Sequence, residues 1–259
     1  MQVKIALAGN PGCGKTTLFY VLTGDPKYAE NRAGVTVEKK EGWMKGEEDI
    51  LLVDLPGLSS LSPYTLNEVI ARNCLVNENP DAILNVIDGT RIERSLFLTT
   101  QLTELGIPLV LAVSKSDLVR ERSGPSLCRR LEEYLGCRTI SVSVREKEHC
   151  AEAVRAAAGA ARERMQPPLL PMYGENVSEA LREIRGILRN RAPERLIRWY
   201  GIKVFERNGR VLEALGLTPA ELERVEALVR SVEEAEGDDA ESVLTNQRYE
   251  FIASVMEKL

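Results

Sequence analysis

The stretch over residues 9–16 constrains the fold of this chain more than any other. It reads Gly-Asn-Pro-Gly-Cys-Gly-Lys-Thr and fits the phosphate-loop pattern G-x-x-x-x-G-K-[ST]. The apolar run Val3–Ala8 before it predicts a buried strand, and the helically spaced apolar residues after it predict a helix over 15–24. A strand, a glycine-rich turn and a helix are the context in which this pattern binds a nucleoside phosphate.

The chemistry of the loop follows from its residue types. Its backbone N–H groups are expected to wrap a diphosphate at the start of the helix. We predict that Lys15 reaches the β- and γ-phosphates and serves catalysis, and that the Thr16 hydroxyl ligates Mg²⁺. The loop residues predicted to bind the nucleotide are Gly9, Asn10, Pro11, Gly12, Cys13, Gly14, Lys15, Thr16 and Thr17.

Strand and helix patterns alternate up to about residue 165, which predicts an α/β fold with a mostly parallel, six-stranded sheet and helices on both faces. The second and third strands form a hairpin around 45–48, which adds one antiparallel edge strand. Strands are predicted at Val3–Ala8, Val37–Met44, Asp49–Asp54, Ala82–Asp88, Ile107–Ser114 and Arg138–Ser143. Helices are predicted over 15–24, 65–78, 93–105, 125–135 and 147–165, and residues 25–36 as a loop.

A proline-rich connector at 166–173 separates the predicted nucleotide-binding domain, residues 1–165, from a second domain, residues 174–259. The second domain contains no predicted strand and should form a small all-α bundle. Its predicted helices are Asn176–Asn190, Pro193–Phe205, Gly209–Leu215, Pro219–Glu236 and Ala240–Leu259. Thr218 as N-cap, Pro219 at the first helical position and Glu221 three residues after the cap make a well-marked helix start.

Composition narrows the function classes. The 259 residues carry a formal net charge of −5, whereas a general nucleic-acid binder usually has a basic surplus, so we expect no nucleic-acid partner. The five cysteines form no C-x-x-C pair, which suits a reducing cytosol. Neither a signal peptide nor an apolar run of membrane-spanning length is present, so the chain as given is expected to be soluble.

A second motif indicates a γ-phosphate sensor. Asp54-Leu55-Pro56-Gly57 follows a predicted strand, so that the Asp54 carboxylate can hold a water on Mg²⁺ and the Gly57 N–H can bond a γ-phosphate. Thr36 lies in the preceding loop and is predicted to offer its hydroxyl to Mg²⁺ and to take part in catalysis. Its neighbours Gly34 and Val35 complete this predicted nucleotide contact.

The base is expected to be read after the predicted strand that ends at Ser114. The Asp117 carboxylate can accept two hydrogen bonds from the N1–H and N2 amino group of guanine, a donor pair that adenine lacks. The stem of Lys115 can lie across the purine ring. A backbone N–H of the segment Ser143, Val144 and Arg145 is expected against the guanine O6. Together these motifs predict a small G protein that binds GTP.

Several longer segments resemble a known family. The order of these segments resembles the cytosolic G-protein region of FeoB, the bacterial ferrous iron transporter, over nearly the whole chain. They are Gly9–Phe19, Gly34–Gly42, Leu52–Tyr64, Asn67–Asn73, Leu105–Pro108 and Arg248–Ile252. The segments 34–42 and 52–64 are far more specific than the phosphate loop.

The resemblance implies a GTP/GDP switch for Fe²⁺ uptake, in which the helical domain modulates GDP release like a GDI. It further implies that a multi-helix membrane domain follows and that the full-length protein lies at the cytoplasmic face of the bacterial inner membrane. As partners it implies guanine nucleotide, that membrane domain, small cytosolic Feo proteins and further copies of the chain in a trimer.

Departures from the family pattern lead to expectations of their own. The family usually has Asn where Gly12 stands, and that carboxamide is expected to help ligate an activating K⁺, so K⁺ stimulation is expected to be weak or absent. Ser114 replaces an Asn and should weaken nucleotide binding. Asn31-Arg32-Ala33-Gly34 replaces N-W-P-G, so this loop is expected to pack differently. Leu58 follows Gly57 where a Gln would orient water, so slow intrinsic hydrolysis is expected.

Two other classes of protein remain open from the residues alone. One is a soluble G protein of the ribosome-assembly or tRNA-modification kind, against which the acidic balance and the helical second domain count. The other is a non-hydrolysing scaffold with a degenerate nucleotide site. Gly12 and Ser114, which depart from the family pattern, keep this alternative open.

Overall fold

The computed structural model describes residues 2–24, 39–62, 65–115 and 124–259. The chain divides into two compact units, each with an apolar core of its own. The sheet unit comprises Met1–Thr103, Ile107–Leu170 and Met256–Leu259, and the helical unit comprises Glu104–Gly106 and Pro171–Val255. The short turn 104–106 belongs to the helical unit although it lies between two elements of the sheet unit, which the sequence does not indicate.

The sheet unit has the predicted α/β fold. Its six strands are ordered β2-β3-β1-β4-β5-β6, and only the β2–β3 pairing is antiparallel. The strands are β1 Val3–Ala8, β2 Lys40–Met44, β3 Glu47–Asp54, β4 Ala82–Asp88, β5 Leu109–Ser114 and β6 Thr139–Ser141. The helices are α1 Lys15–Thr23, α2 Leu66–Asn77, α3 Ile92–Thr103, α4 Gly124–Leu135 and α5 Lys147–Arg162.

The centre of the sheet is formed by β1 and β4, and every residue of β4 is buried. Continuous burial of this kind is expected of a parallel strand that is covered on both faces. Helix α5 packs against β1, β4 and β5 through small side chains such as Ala153, Ala157 and Ala160. These alanines let the helix lie close to the sheet and leave the larger core volume to the strands.

The hairpin differs from its prediction in length. The turn is two residues long, Lys45 and Gly46, because Gly46 adopts a φ of 87° that suits a tight hairpin turn. The strand β3 therefore begins at Glu47, two residues earlier than predicted. Within the described residues, β2 begins at Lys40, and Val37 lies outside them.

Two other predicted strands are shorter in the structure. The strand β5 begins at Leu109 because Pro108, which precedes it, has no N–H to donate to the ladder. The strand β6 ends at Ser141, since the Ser143 carbonyl accepts the Glu146 N–H and so starts a turn into α5. Both differences are local and leave the strand order unchanged.

The helical unit contains only helices among its described residues. They are α6 Glu175–Leu188, a 3₁₀ turn Glu194–Leu196, α7 Ile197–Phe205, α8 Gly209–Leu215, α9 Pro219–Glu236 and α10 Ala240–Met256. The predicted start of α9 is confirmed as a capping box: the Thr218 side chain accepts the Glu221 N–H, and the Glu221 carboxylate accepts the Thr218 N–H. Among the described residues, no helix is both long and apolar enough to cross a membrane.

An ion-pair network ties the turn after α7 to α9. The Arg207 guanidinium donates to both oxygens of Glu226, at 2.8 and 3.1 Å, and to both oxygens of Glu233, at 2.6 and 2.8 Å. Hydrogen bonds from Arg207 and Arg230 lower the pKa of Glu226 to about 2. A pKa depressed in the folded state contributes stability above the unfolded value near 4.5, and this stability is lost as the pH falls towards 2.

Replacing Arg207 should therefore destabilise the helical unit in a pH-dependent manner. We expect Arg207→Gln to lower the free energy of unfolding by about 1 kcal/mol at pH 7, because the network is strong but partly solvent-screened. The loss should disappear once the carboxylates are protonated. Urea unfolding followed by circular dichroism at neutral and strongly acid pH measures it. Arg230→Gln, which removes one bond to Glu226, is the control with a smaller effect; an equal loss at both pH values would contradict the assignment.

Candidate nucleotide and magnesium site

The candidate site lies along the carboxyl edge of the parallel strands. Gly9 follows β1, and Asp54, Asp88 and Ser114 are the last residues of β3, β4 and β5. Strand register brings them level, since Leu7 pairs with Asp54, and Asp88 pairs with Ser114. The edge at which ligands bind in open parallel sheets therefore carries the predicted motifs side by side.

The phosphate loop connects β1 to α1 as predicted. Gly14 caps the helix with a φ of 99°, and Gly12 has a φ of 78°, both in the left-handed region that favours glycine. The Cys13 N–H donates to the Asn10 carbonyl at 3.2 Å, which closes the turn before the helix begins at Lys15. The Lys15 side chain is buried beneath the loop at 5% exposure, while Thr17 is exposed in the first helical turn.

Asp54 carries the most unusual electrostatic environment of the site. The residue is fully buried, and neither carboxylate oxygen has a hydrogen bond of ordinary length with the described residues. Burial raises the pKa of Asp54, and the charge of Lys15 and the hydroxyl of Thr16 oppose part of that rise. Buried carboxylates are normally satisfied by donors or by a metal ion, and the described residues do not supply such a partner at ordinary hydrogen-bond length.

A magnesium ion fits this donor set. Mg²⁺ binds hard oxygen ligands and usually takes one or two protein groups, with phosphates and waters filling its other positions. The Asp54 carboxylate and the Thr16 hydroxyl are such groups, and Lys15 supplies positive charge for phosphates beside them. Elsewhere in the described part of the chain, no three His, Cys, Asp or Glu side chains gather closely enough to hold a metal ion.

The segment after β3 is packed directly against the phosphate loop. A Cβ placed on Gly57 would lie 2.8 Å from Cγ and 2.9 Å from Cα of Pro11, so only glycine fits there without a shift. The Leu58 N–H donates to the Gly9 carbonyl at 3.1 Å. The Leu58 side chain is fully buried. The segment after β3 and the phosphate loop are therefore joined both by close packing and by a hydrogen bond.

Ser114 ties the end of β5 to the phosphate loop. Its hydroxyl oxygen lies 2.6 Å from the Cys13 carbonyl oxygen and 3.1 Å from the Ile87 carbonyl oxygen. A hydroxyl has one proton, whereas an asparagine amide has two and a carbonyl as well. The Ser114 O–H can therefore donate to one of these two carbonyls at a time, and the side chain has no further proton to donate.

Sequence reasoning missed the role of Asp88. Its carboxylate forms an ion pair with Lys115 Nζ at 2.5 Å, and it also accepts hydrogen bonds from the N–H and the hydroxyl of Thr90. Burial acts to raise the pKa of Asp88, but the hydrogen bonds from Lys115 and Thr90 outweigh it and bring the pKa below its usual value. Asp88 therefore fixes the position of the Lys115 stem. The Asp-Gly-Thr turn at the end of a buried strand was the available signal.

The segment Ser143, Val144 and Arg145 forms the turn between β6 and α5. The Arg145 N–H donates to the Ser143 hydroxyl at 3.4 Å, and the Glu146 N–H donates to the Ser143 carbonyl at 2.9 Å. These two bonds use neither the Ser143 N–H nor the Val144 N–H, so both remain candidate donors to a ligand.

A cleft of about 220 Å³ opens beside the first half of the phosphate loop. It is lined by Gly12, Asp88, Lys115 and two arginines. Of these, Arg91 directly precedes α3 and Arg94 lies in its first turn. Neither arginine side chain forms an ion pair with the described residues. The sequence alone did not single out these two arginines, which line the cleft beside the phosphate loop.

Four of the predicted site residues lie outside the described residues. These are Gly34, Val35, Thr36 and Asp117. Their roles remain predictions, as does the altered packing expected for residues 31–34.

Comparison with known proteins agrees with the fold. Residues 3–157 match the family model of ferrous iron transport protein B, and residues 173–259 match that of the FeoB cytosolic helical domain. The chain is 32% identical to an Fe(2+) transport protein A/Fe(2+) transporter FeoB fusion protein of Porphyromonas gingivalis, over 99% of this chain and 32% of that protein. It is 42% identical to the Fe(2+) transporter FeoB of Escherichia coli K12, over 54% of this chain and 19% of that protein.

A solved structure gives the same result in three dimensions. The crystal structure of NFeoB from S. thermophilus bound to GDP.AlF4- and K+ superposes with a TM-score of 0.91 at 36% identity, covering 99% of this chain and all of that chain. By contrast, the chain spans about a third or less of the curated relatives it matches. The chain belongs to the FeoB family of ferrous iron transport proteins, of which it represents the G domain and the cytosolic helical domain.

Proposed function

We propose that this chain binds GTP together with Mg²⁺, hydrolyses it slowly to GDP and phosphate, and acts as the nucleotide switch of a ferrous iron transporter. One observation carries the proposal: the Asp54 carboxylate is buried beside Lys15 and Thr16 at the start of α1, and its oxygens have no hydrogen bond of ordinary length with the described residues. In a phosphate-loop protein this is the arrangement that a Mg²⁺–nucleotide complex completes.

Guanine specificity rests on the sequence and on the related structure. Asp117 is the carboxylate for the guanine N1–H and N2 amino group, and a backbone N–H of the turn after β6 is the donor for O6. Lys115, positioned by Asp88, covers the ring. The S. thermophilus relative was crystallised with GDP.AlF4- and K+, which supports guanine as the base and hydrolysis as the reaction.

The proposed hydrolysis is slow because no described side chain is placed to orient the attacking water. Leu58, which occupies the position after Gly57, is apolar and buried. Thr36 and the loop around it, or a partner, would have to position that water. The loop 25–37 and the segment after Gly57 are the two switch elements that the γ-phosphate holds in place.

The remaining proposals concern the longer protein. We place this part at the cytoplasmic face of the bacterial inner membrane, joined to a membrane domain through which Fe²⁺ passes. Small cytosolic Feo proteins and a trimer of the chain are the proposed partners, and nucleic acid is not one. The helical unit is proposed to modulate GDP release. The buried Asp54 carboxylate beside Lys15 and Thr16 supports this switch over a non-hydrolysing scaffold.

GTP turnover by the purified chain tests the proposal. We expect measurable phosphate release with Mg²⁺ and GTP, at a rate far below that of G proteins assisted by an activator, and little release with ATP. Asp117→Ala should lose the preference for GTP over ATP. Failure of the wild-type chain to release phosphate from GTP would sink the proposal, and unchanged base selectivity in Asp117→Ala would remove Asp117 from the base site.

The Ser114 hydroxyl should matter for affinity in every nucleotide state. Because it bonds the loop carbonyl of Cys13 and not the γ-phosphate region, Ser114→Ala should weaken GDP and GTP-analogue binding equally, by about 1 kcal/mol or roughly fivefold. Fluorescence titration with labelled nucleotides measures both constants. A loss confined to the triphosphate form would show that the bond serves another purpose.

Gly12 allows a direct test of monovalent-cation activation. A Cβ at Gly12 would meet nothing within 4 Å, and asparagine tolerates the φ of 78° better than most residues, so Gly12→Asn should fold normally. We expect wild-type GTP turnover to be nearly equal in KCl and NaCl and Gly12→Asn to acquire a K⁺ preference. Gly12→Ala, which adds no ligand, is the control. A large K⁺ preference in the wild-type chain would contradict this expectation.

A further inference from the structure

Two arginines of the helical unit lie together without a negative partner. Arg185 on α6 crosses over α7, where its Cγ is the nearest atom, at 3.1 Å, to a Cβ placed on Gly201. Arg198 precedes Gly201 by three residues and so lies on the same face of α7, one turn away. Both side chains are half-buried, and neither forms an ion pair with the described residues.

Three carboxylates on α6 and just after α7 are already engaged. Glu179 pairs with Arg182, Glu183 pairs with Arg224, and Glu206 pairs with Lys203. Burial lowers the pKa of both Arg185 and Arg198; the positive charge of Arg182 lowers the pKa of Arg185 further, and the positive charge of Arg185 does the same to Arg198. The two guanidinium groups thus repel each other in a partly desolvated place, which costs stability unless an anion joins them.

Gly201 adds a second local cost. A glycine inside a helix is less stable than an alanine, yet a Cβ here would crowd the Arg185 stem. The small residue therefore allows Arg185 to lie across α7. Where a sequence accepts unfavourable local choices of this kind together, a binding function is the usual reason.

The donor geometry indicates the chemistry of the anion. The Arg185 Nε–H is used by the Leu181 carbonyl at 3.1 Å, which orients the guanidinium and leaves its two terminal amino groups as donors. Arg198 makes no hydrogen bond with the described residues, so all of its guanidinium N–H groups remain available as donors. A carboxylate can pair with one guanidinium group, whereas a phosphate has enough charge and enough oxygens to bridge two guanidinium groups.

We propose that Arg185 and Arg198 form a binding site for a phosphate group on the helical unit. This site is separate from the nucleotide site and does not depend on the proposed GTPase activity. The phosphate can come from an anionic lipid headgroup or from free phosphate in solution, and the two sources are distinguished by experiment.

The test compares the wild-type chain with the double variant Arg185→Gln/Arg198→Gln. One arm measures co-sedimentation with vesicles of phosphatidylglycerol and phosphatidylcholine against pure phosphatidylcholine. The other measures the rise in melting temperature with inorganic phosphate against chloride at equal ionic strength. A matched control is the double variant Arg189→Gln/Arg210→Gln, which removes the same charge at two exposed positions of the helical unit.

If the phosphate belongs to a lipid, the wild-type chain should partition onto the anionic vesicles about thirtyfold more strongly than the double variant. If it is free phosphate, only the melting arm should separate the two proteins. The proposal would be overturned by binding in neither arm, by equal binding of the double variant, or by an equal loss in the control. It would also be overturned if the chain bound poly-glutamate, a carboxylate polymer, in preference to phosphate.

A single charge reversal guards against misfolding of the double variant. Arg198→Glu provides Arg185 with an internal partner, so it should abolish phosphate and vesicle binding while leaving the melting temperature equal or higher. Persistent binding by a folded Arg198→Glu protein would also overturn the proposal.

Discussion

The buried carboxylate of Asp54 is the constraint on which the rest of the site depends. A negative charge held away from water without hydrogen-bond partners is expensive, and burial raises the pKa of Asp54 accordingly. The fold lowers this cost by placing Lys15 and the Thr16 hydroxyl beside it, at the positive end of α1. If the proposed magnesium ion and phosphate chain bind there, they would remove the rest, so that ligand binding and the stability of this edge would be linked.

Two contacts hold the phosphate loop from opposite sides. Gly57 presses against Pro11 from the β3 side, and Ser114 bonds the Cys13 carbonyl from the β5 side. Because β1 lies between β3 and β4 in the sheet, the loop after β1 is reached from both directions. The proposed γ-phosphate sensor and base site would therefore both contact one short segment, through which a change of nucleotide could reach each of them.

The sequence predicted the features that depend on local patterns. Periodicity predicted the α/β fold with its mostly parallel sheet. Motifs whose residues are close in the chain predicted the phosphate loop and the capping box at Thr218. The Asp88–Lys115 ion pair joins residues far apart in the chain, so no local pattern revealed it. Which backbone N–H groups the turn after β6 leaves available depends on that turn's hydrogen bonds, which the sequence does not show either. The two-residue turn at Gly46 was missed because its length depends on a φ angle.

We propose that the buried Asp54 carboxylate holds Mg²⁺ on a bound guanine nucleotide beside Lys15. Calorimetric titration with a non-hydrolysable GTP analogue, with and without Mg²⁺, tests it most directly on the wild-type, Asp54→Asn and Lys15→Ala proteins. The account predicts that Mg²⁺ tightens binding several-fold in the wild-type protein but not in Asp54→Asn, and that Lys15→Ala binds poorly in both conditions. No heat from the wild-type protein, or the same gain from Mg²⁺ in Asp54→Asn, would contradict it.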